Sequence, residues 1–179
     1  IVKGMQGTAL DADQAVISTL KHFAAYGASE GGRNGAPVHL GMRELHEVHL
    51  PGFKAAVESG AQSLMAAYND IDGVPCSGNT YLLTDLLRSQ WGFDGFVVAD
   101  GTGIDWLYTQ HHVAHDFEEA GALAVTAGVD LSLWDQAFTR LADAVRNNKV
   151  SIDVIDQAVR RILRAKFRLG LFEKPYVDE

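Results

Sequence analysis

Four short apolar segments have the length and the flanking residues of buried β-strands. Each is too short for a stable helix, and two of them carry β-branched residues next to glycine. The predicted strands are Ala15–Leu20, Ser63–Tyr68, Gly95–Ala99 and Val129–Leu133. The last three begin about 33 residues apart, with helical patterns between them. A strand–helix unit that repeats at this interval predicts parallel strands joined by crossover helices, and therefore an α/β fold.

The segments between and after these strands show helical periodicity. The clearest is the last, in which apolar residues recur every three or four positions and a glycine follows the end. Pro51 falls inside the first segment and predicts a kink or a break there. The predicted helices are Met42–Ser59, Tyr81–Trp91, Phe117–Ala127, Ala137–Asn147 and Asp153–Leu169.

The residues that follow the strands decide between two parallel architectures. A doubly wound nucleotide-binding sheet carries a glycine-rich phosphate loop after its first strand, and the sequence has no such pattern. A (β/α)8 barrel instead builds its active site from polar residues at the carboxyl ends of several strands. Such residues follow each predicted strand: Lys21 and His22, Tyr68 and Asn69, Asp100, and Trp134 and Asp135. A whole barrel needs about 250 residues, so four strands predict a partial barrel.

Composition and charge exclude several classes of protein. Of the 179 residues, 47% are hydrophobic, which excludes intrinsic disorder, and no window has the length and apolarity of a membrane span. The net charge of −8 argues against a nucleic-acid partner. Cys76 is the single cysteine, so the chain cannot form an internal disulfide. Its cysteine content therefore favours neither an oxidising nor a reducing compartment. Because the chain begins with Ile1 and shows no signal-peptide pattern, we expect either upstream processing or a piece of a longer protein.

Asp100 is the strongest catalytic candidate that the residues themselves offer. It follows an apolar strand, and Gly101 leaves room beside it, although a turn or helix-capping aspartate explains it equally well. Further candidates are the pair Lys21 and His22, Tyr68, and Arg33, which lies in a glycine-rich loop. Each of them can also be explained as an ordinary polar residue at the surface or at the boundary of the core. The clustered histidines lack the spacing of zinc motifs, so no metal site is predicted.

Long motifs throughout the chain resemble glycoside hydrolase family 3, and its β-glucosidase branch most closely. They are Lys21–Phe23, Glu30–Arg33, Arg43–Phe53, Ala67–Pro75, Leu83–Asp100 and Phe167–Phe172. The resemblance implies that residues 1–179 are the C-terminal half of the family's catalytic barrel, approximately strands five to eight, with residues 171–179 starting an interdomain linker. It also implies that the partners are the missing barrel half and a C-terminal domain, or other copies of the chain.

The same resemblance implies the roles of individual residues. Asp100 matches the catalytic nucleophile of a retaining mechanism, which releases terminal β-D-glucosyl residues from β-glucosides or oligosaccharides through a covalent intermediate. The substrate-binding residues that it implies are Lys21, His22, Arg33, Met65 and Tyr68. No cofactor is implied. The acid/base glutamate of multi-domain members comes from a later domain, so the isolated chain is expected to be inactive.

Departures from the family pattern affect the expected specificity. Gly101 stands where many members have tryptophan after the nucleophile, which puts stacking on the aglycone side in doubt. Ala24–Gly27 replaces the proline-glycine-histidine run of the N-acetylhexosaminidase branch, which disfavours that branch. Trp106 and Trp134 fit either stacking on sugar rings or packing between barrel loops. A β-xylosidase and a non-catalytic sugar-binding fragment are the alternatives to a β-glucosidase.

Overall fold

The computed structural model describes residues 1–176, and a parallel sheet lies at its centre. The strands are β1 (Thr19–Phe23), β2 (Ser63–Ala66), β3 (Asp70–Ile71), β4 (Val74–Pro75) and β5 (Phe96–Ala99). The order in the sheet is β1-β2-β5, and both pairings are parallel. The chain segment at Leu131 joins the other side of β5 through a parallel bridge to Val98. The carboxyl ends of all four segments therefore meet at one edge of the sheet.

Helices surround this sheet and connect its strands. The α-helices are α1 (Val2–Gln6), α2 (Met42–Glu44), α3 (Pro51–Glu58), α4 (Trp106–Thr109), α5 (Phe117–Ala127), α6 (Leu141–Arg146) and α7 (Ile152–Arg168). Wider π-helical segments run over Leu45–His49 and Tyr81–Gln90, and short 3₁₀ turns over Tyr26–Ala28, Glu30–Gly32, Cys76–Gly78 and Ala137–Arg140. No helix within residues 1–176 is long and apolar enough to cross a lipid bilayer.

The core forms between the sheet and the helices that cross it. Leu64 and Val97 occupy matching positions on β2 and β5, and both are fully buried. The leucines of Tyr81–Gln90, represented by Leu82 and Leu86, pack into the same cluster. Strands that are apolar on both faces are the pattern of a parallel sheet covered by helices. The α/β fold predicted from the sequence is confirmed.

The structure corrects the predicted position of the first strand. The apolar run Ala15–Leu20 was expected to be extended, but the strand is Thr19–Phe23. Pairing with β2 selects that segment, since Thr19 lies opposite Ser63 and Phe23 opposite Ala66. Lys21 and His22 are therefore inside β1 rather than beyond its end.

Other elements differ in extent. The predicted strand Val129–Leu133 is reduced to a single bridge, although Leu131 exchanges backbone hydrogen bonds with Val97 and Ala99. Pro51 breaks its predicted helix, as expected, and starts α3, where its missing N–H costs nothing. Of the predicted linker 171–179, residues 171–176 form a turn and irregular structure, and residues 177–179 lie outside the described residues.

Candidate active site

Asp100 lies at the carboxyl edge of the sheet, directly after β5. Its Oδ1 accepts a hydrogen bond of 2.8 Å from the backbone N–H of Gly101, which fixes the orientation of the carboxylate. Its Oδ2 lies 3.3 Å from Nε2 of His22, and the Asp100 side chain is 21% exposed. The carboxylate is therefore partly accessible from solvent, as a carboxylate that meets a substrate requires.

His22 contacts Asp100 across the intervening strand β2. Burial lowers the pKa of His22 below its usual value, and the positive charge of Lys21 lowers it further, although Asp100 acts in the opposite direction. His22 is therefore neutral at pH 7, and in the tautomer that carries the proton on Nε2 it can donate to Asp100. Its ring also packs against Tyr26, with 4.6 Å between ring centroids.

Tyr68 follows β2, between the ends of β1 and β5. Its hydroxyl donates a hydrogen bond of 2.6 Å to the carbonyl oxygen of Gly101. Burial and the negative charge of Asp100 raise the pKa of Tyr68 to about 12, so the phenol stays protonated at neutral pH. The structure thus brings three of the proposed site residues, His22, Tyr68 and Asp100, together at one edge of the sheet.

The other predicted site residues lie around this group at different distances from it. Lys21 is exposed on β1, and its positive charge lowers the pKa of His22. Met65 is half-buried on β2 opposite Val98. Arg33 lies on the loop after the 3₁₀ turn Glu30–Gly32, and among the described residues its side chain forms no ion pair. Arg33 lines an open groove of about 460 Å³ together with Trp106 and His111.

Trp106, which the sequence offered either for sugar stacking or for loop packing, and His111 connect this groove to Tyr68. The indole of Trp106 packs on the phenol ring of Tyr68, with 4.5 Å between centroids. The Nε2 atom of His111 lies 2.8 Å from the carbonyl oxygen of Tyr68. In the described part of the chain, no three His, Cys, Asp or Glu side chains are grouped closely enough to hold a metal ion.

Sequence reasoning placed Asp135 after the last predicted strand but missed its pairing with Asp105, and both carboxylates are buried. Asp135 accepts the backbone N–H groups of Ile104 and Asp105, at 2.8 and 3.1 Å. The carboxylate of Asp105 in turn accepts hydrogen bonds from the backbone N–H groups of Gln136 and Ala137, at 3.0 and 2.9 Å. Burial raises the pKa of Asp135. The pair ties the loop that follows Asp100 to the loop that follows Leu131.

Comparison with known proteins agrees with this arrangement. The model of the glycosyl hydrolase family 3 N-terminal domain matches residues 1–165. The chain belongs to glycosyl hydrolase family 3. This membership confirms that the motifs were assigned to the right family.

Relatives in family 3 include enzymes named for two different sugars. A β-xylosidase from Formosa agariphila is 42% identical over 96% of this chain, and a periplasmic β-glucosidase from Salmonella typhimurium is 37% identical over 98%. The structure of a mutant β-glucosidase from Listeria innocua in complex with laminaribiose superposes with a TM-score of 0.94, at 36% identity over 98% of this chain. The chain spans about a quarter of the length of each of these proteins: 25%, 23% and 25%, respectively.

Proposed function

We propose that the chain carries the nucleophile and much of the glycone pocket of a retaining β-glucosidase. The observation that supports this most is the position of Asp100, a partly exposed carboxylate at the carboxyl edge of a parallel sheet, 3.3 Å from His22. In the first step, a carboxylate oxygen of Asp100 attacks the anomeric carbon. The bond from that carbon to the leaving oxygen breaks, and an acid/base carboxyl group gives that oxygen its proton.

The second step regenerates the enzyme. The same acid/base group removes a proton from water, the water oxygen attacks the anomeric carbon, and the Asp100 carboxylate leaves. We place the acid/base group in another domain of the complete enzyme, as in the family's multi-domain members. In this proposal Tyr68, which is protonated at neutral pH, donates a hydrogen bond to the carbonyl oxygen of Gly101 and so holds the backbone beside Asp100 in place.

We also propose that residues 1–179 form approximately strands five to eight of a (β/α)8 barrel, with a linker from residue 171. The sheet order β1-β2-β5, followed by the bridge at Leu131, supports this, because successive strands of a barrel are neighbours. Within residues 1–176, β1 pairs with β2 on one side alone, and the unpaired groups of an open edge invite association.

A comparison of substrates tests the proposed activity. We expect the complete enzyme to hydrolyse a nitrophenyl β-glucoside with a kcat/KM at least about tenfold above that for the β-xyloside, because polar groups that bind the hydroxymethyl of glucose are left unpaired by xylose. The second candidate, a β-xylosidase, is favoured by the identity of 42% to the Formosa agariphila enzyme. It predicts the reverse ratio.

The isolated chain is the control in the same assay. Without the acid/base group it should show no significant β-glucosidase turnover, because general acid catalysis contributes about 10²- to 10⁴-fold to the rate. Size-exclusion chromatography should show that it associates or requires the missing half. An ordinary enzymatic rate from a stable monomer would refute the half-barrel, and sugar binding without turnover in the complete enzyme would support a non-catalytic module.

Alanine substitutions test the proposed glycone contacts. We expect Lys21→Ala and Arg33→Ala each to lower kcat/KM for the glucoside by about 10- to 100-fold, since hydrogen bonds to charged groups contribute about 1.5–3 kcal/mol. For the neutral His22 we expect His22→Ala to lower it by about 2- to 10-fold, since neutral hydrogen bonds contribute about 0.5–1.5 kcal/mol. Lys54→Ala is the matched control, because Lys54 is exposed and pairs with Glu58 one helical turn away. Values equal to those of the control would show that these residues are only polar surface groups.

A further inference from the structure

Trp134 presents its indole to solvent beside the proposed nucleophile. The residue is 79% exposed, whereas Trp91 and Trp106 are half-buried. An indole offers a large apolar face, and tryptophan is usually well buried in a folded protein. A tryptophan left this exposed next to a reactive group therefore calls for a binding role.

The indole lies against Gly101, the residue that follows Asp100. A Cβ atom at position 101 would come within 2.9 Å of Cζ2 and 3.3 Å of Cε2 of Trp134, so the ring occupies the space where another residue would have its side chain. A larger residue at 101 would displace the indole. The glycine and the tryptophan thus form one unit that places an aromatic face directly beside Asp100.

The loop that carries Trp134 is held in place rather than free to move. Trp134 has a φ of +49°, which is rare for a bulky residue and persists only where the surroundings impose it. The reciprocal hydrogen bonds of Asp105 and Asp135 join the two loops on one side of the tryptophan. On the other side, the Thr102 N–H donates to the carbonyl oxygen of Leu133 at 3.2 Å.

The sheet order places Trp134 and the glycone residues on opposite flanks of Asp100. Lys21 and His22 belong to β1, two strands away on one side, whereas Trp134 follows the segment that joins the other side of β5. A substrate whose glycone is held by β1 residues and whose anomeric carbon lies at Asp100 directs its leaving group towards the opposite flank. An apolar ring face is what an indole binds there.

We propose that Trp134 stacks on the ring of the leaving group, a second sugar or an aryl ring, and sets the preference for ring-bearing aglycones. This inference rests on the proposed function. It assigns aglycone stacking to a residue on the loop after Leu131 and not to the position after the nucleophile, where Gly101 stands.

Substrates with and without a ring in the leaving group test the inference in the complete enzyme. Trp134→Ala should lower kcat/KM by about tenfold for cellobiose and nitrophenyl β-glucoside, which corresponds to the loss of one aromatic stacking contact. It should leave kcat/KM for β-glucosyl fluoride unchanged, because fluoride has no ring to stack. Trp134→Phe should restore most of the loss, and Tyr176→Ala, which removes an aromatic residue that is 90% exposed, is the matched control.

The two classes of substrate, with and without a ring in the leaving group, separate the possible failures. An equal loss on the ring-bearing glucosides and the fluoride, or no loss on either, would overturn the role of Trp134 while the proposed activity stands. A wild-type enzyme that hydrolyses none of the three substrates would overturn the proposed function, and the inference with it. Turnover of the fluoride by Trp134→Ala also shows that the variant is folded.

Discussion

Asp100→Asn should lower kcat of the complete enzyme by a factor of about 10⁴ or more while substrate binding is largely retained. An amide cannot form the glycosyl ester, so the first step loses its nucleophile. The substitution is otherwise mild. The side-chain oxygen of asparagine can still accept the Gly101 N–H that now binds Oδ1, and the amide nitrogen can face Nε2 of His22, because neutral histidine can accept as well as donate.

Asp72→Asn is the matched control for this experiment. Asp72 is an exposed aspartate in the turn between β3 and β4 with a φ of +48°, a conformation that asparagine also adopts readily. It should leave kcat unchanged. Near-normal turnover by Asp100→Asn would show that the nucleophile lies elsewhere.

Covalent labelling gives independent information about the same residue. A mechanism-based fluoroglucoside should modify wild-type enzyme within tryptic peptide 89–140, which has no internal lysine or arginine. That peptide also contains Asp94, Asp105 and Asp116, so fragmentation has to place the label on Asp100 itself. The Asn variant should remain unlabelled.

The elements that sequence alone predicted well are those with strong local signals. Helix α5 has its predicted bounds because Asp116 caps it, accepting the Glu119 N–H at 2.7 Å, and Gly128 ends it with a φ of +122°. Strand β5 is likewise an apolar run after a glycine. The position of Asp100 at the carboxyl edge of the sheet was predictable because it directly follows such a strand.

The features that sequence reasoning missed depend on tertiary contacts or on an overlooked turn signal. The position of β1 is set by its pairing with β2, and the pattern Thr19–Phe23 has no clear local strand signal. The mutual hydrogen bonding of Asp105 and Asp135 joins residues 30 apart, which no short motif encodes. The β3–β4 hairpin, in contrast, has a visible signal, since Asp72-Gly73 is a typical two-residue turn and both residues have positive φ.

Asp130 anchors the far end of the same strand that carries Asp100, and it should be among the most important residues for stability. Its carboxylate is fully buried and lies 2.6 Å from Nη2 of Arg88 and 2.8 Å from Nη1 of Arg161. It also accepts the backbone N–H of Val97 at 2.8 Å. The group therefore joins β5 to the helix Tyr81–Gln90 and to α7.

Asp130→Ala should destabilise the fold by about 3–5 kcal/mol, because removing one partner of a buried ion pair leaves the other charges buried and uncompensated. Both guanidinium groups are largely buried, with side chains 10% and 17% exposed, and the Val97 N–H would also lose its acceptor. Asp143→Ala is the matched control, since its pairs with Arg140 and Arg146 lie within one helical turn at the surface, where such pairs contribute about 0–1 kcal/mol.

Urea unfolding followed by circular dichroism measures both variants against the wild type. We expect a large fall in the midpoint for Asp130→Ala and almost none for Asp143→Ala. Under conditions where Asp130→Ala is still folded, its kcat should stay close to wild type, because the carboxylate lies at the end of β5 opposite Asp100 and touches no substrate. Equal midpoints for the two variants would mean that the buried ion network is not what holds β5 against its helices.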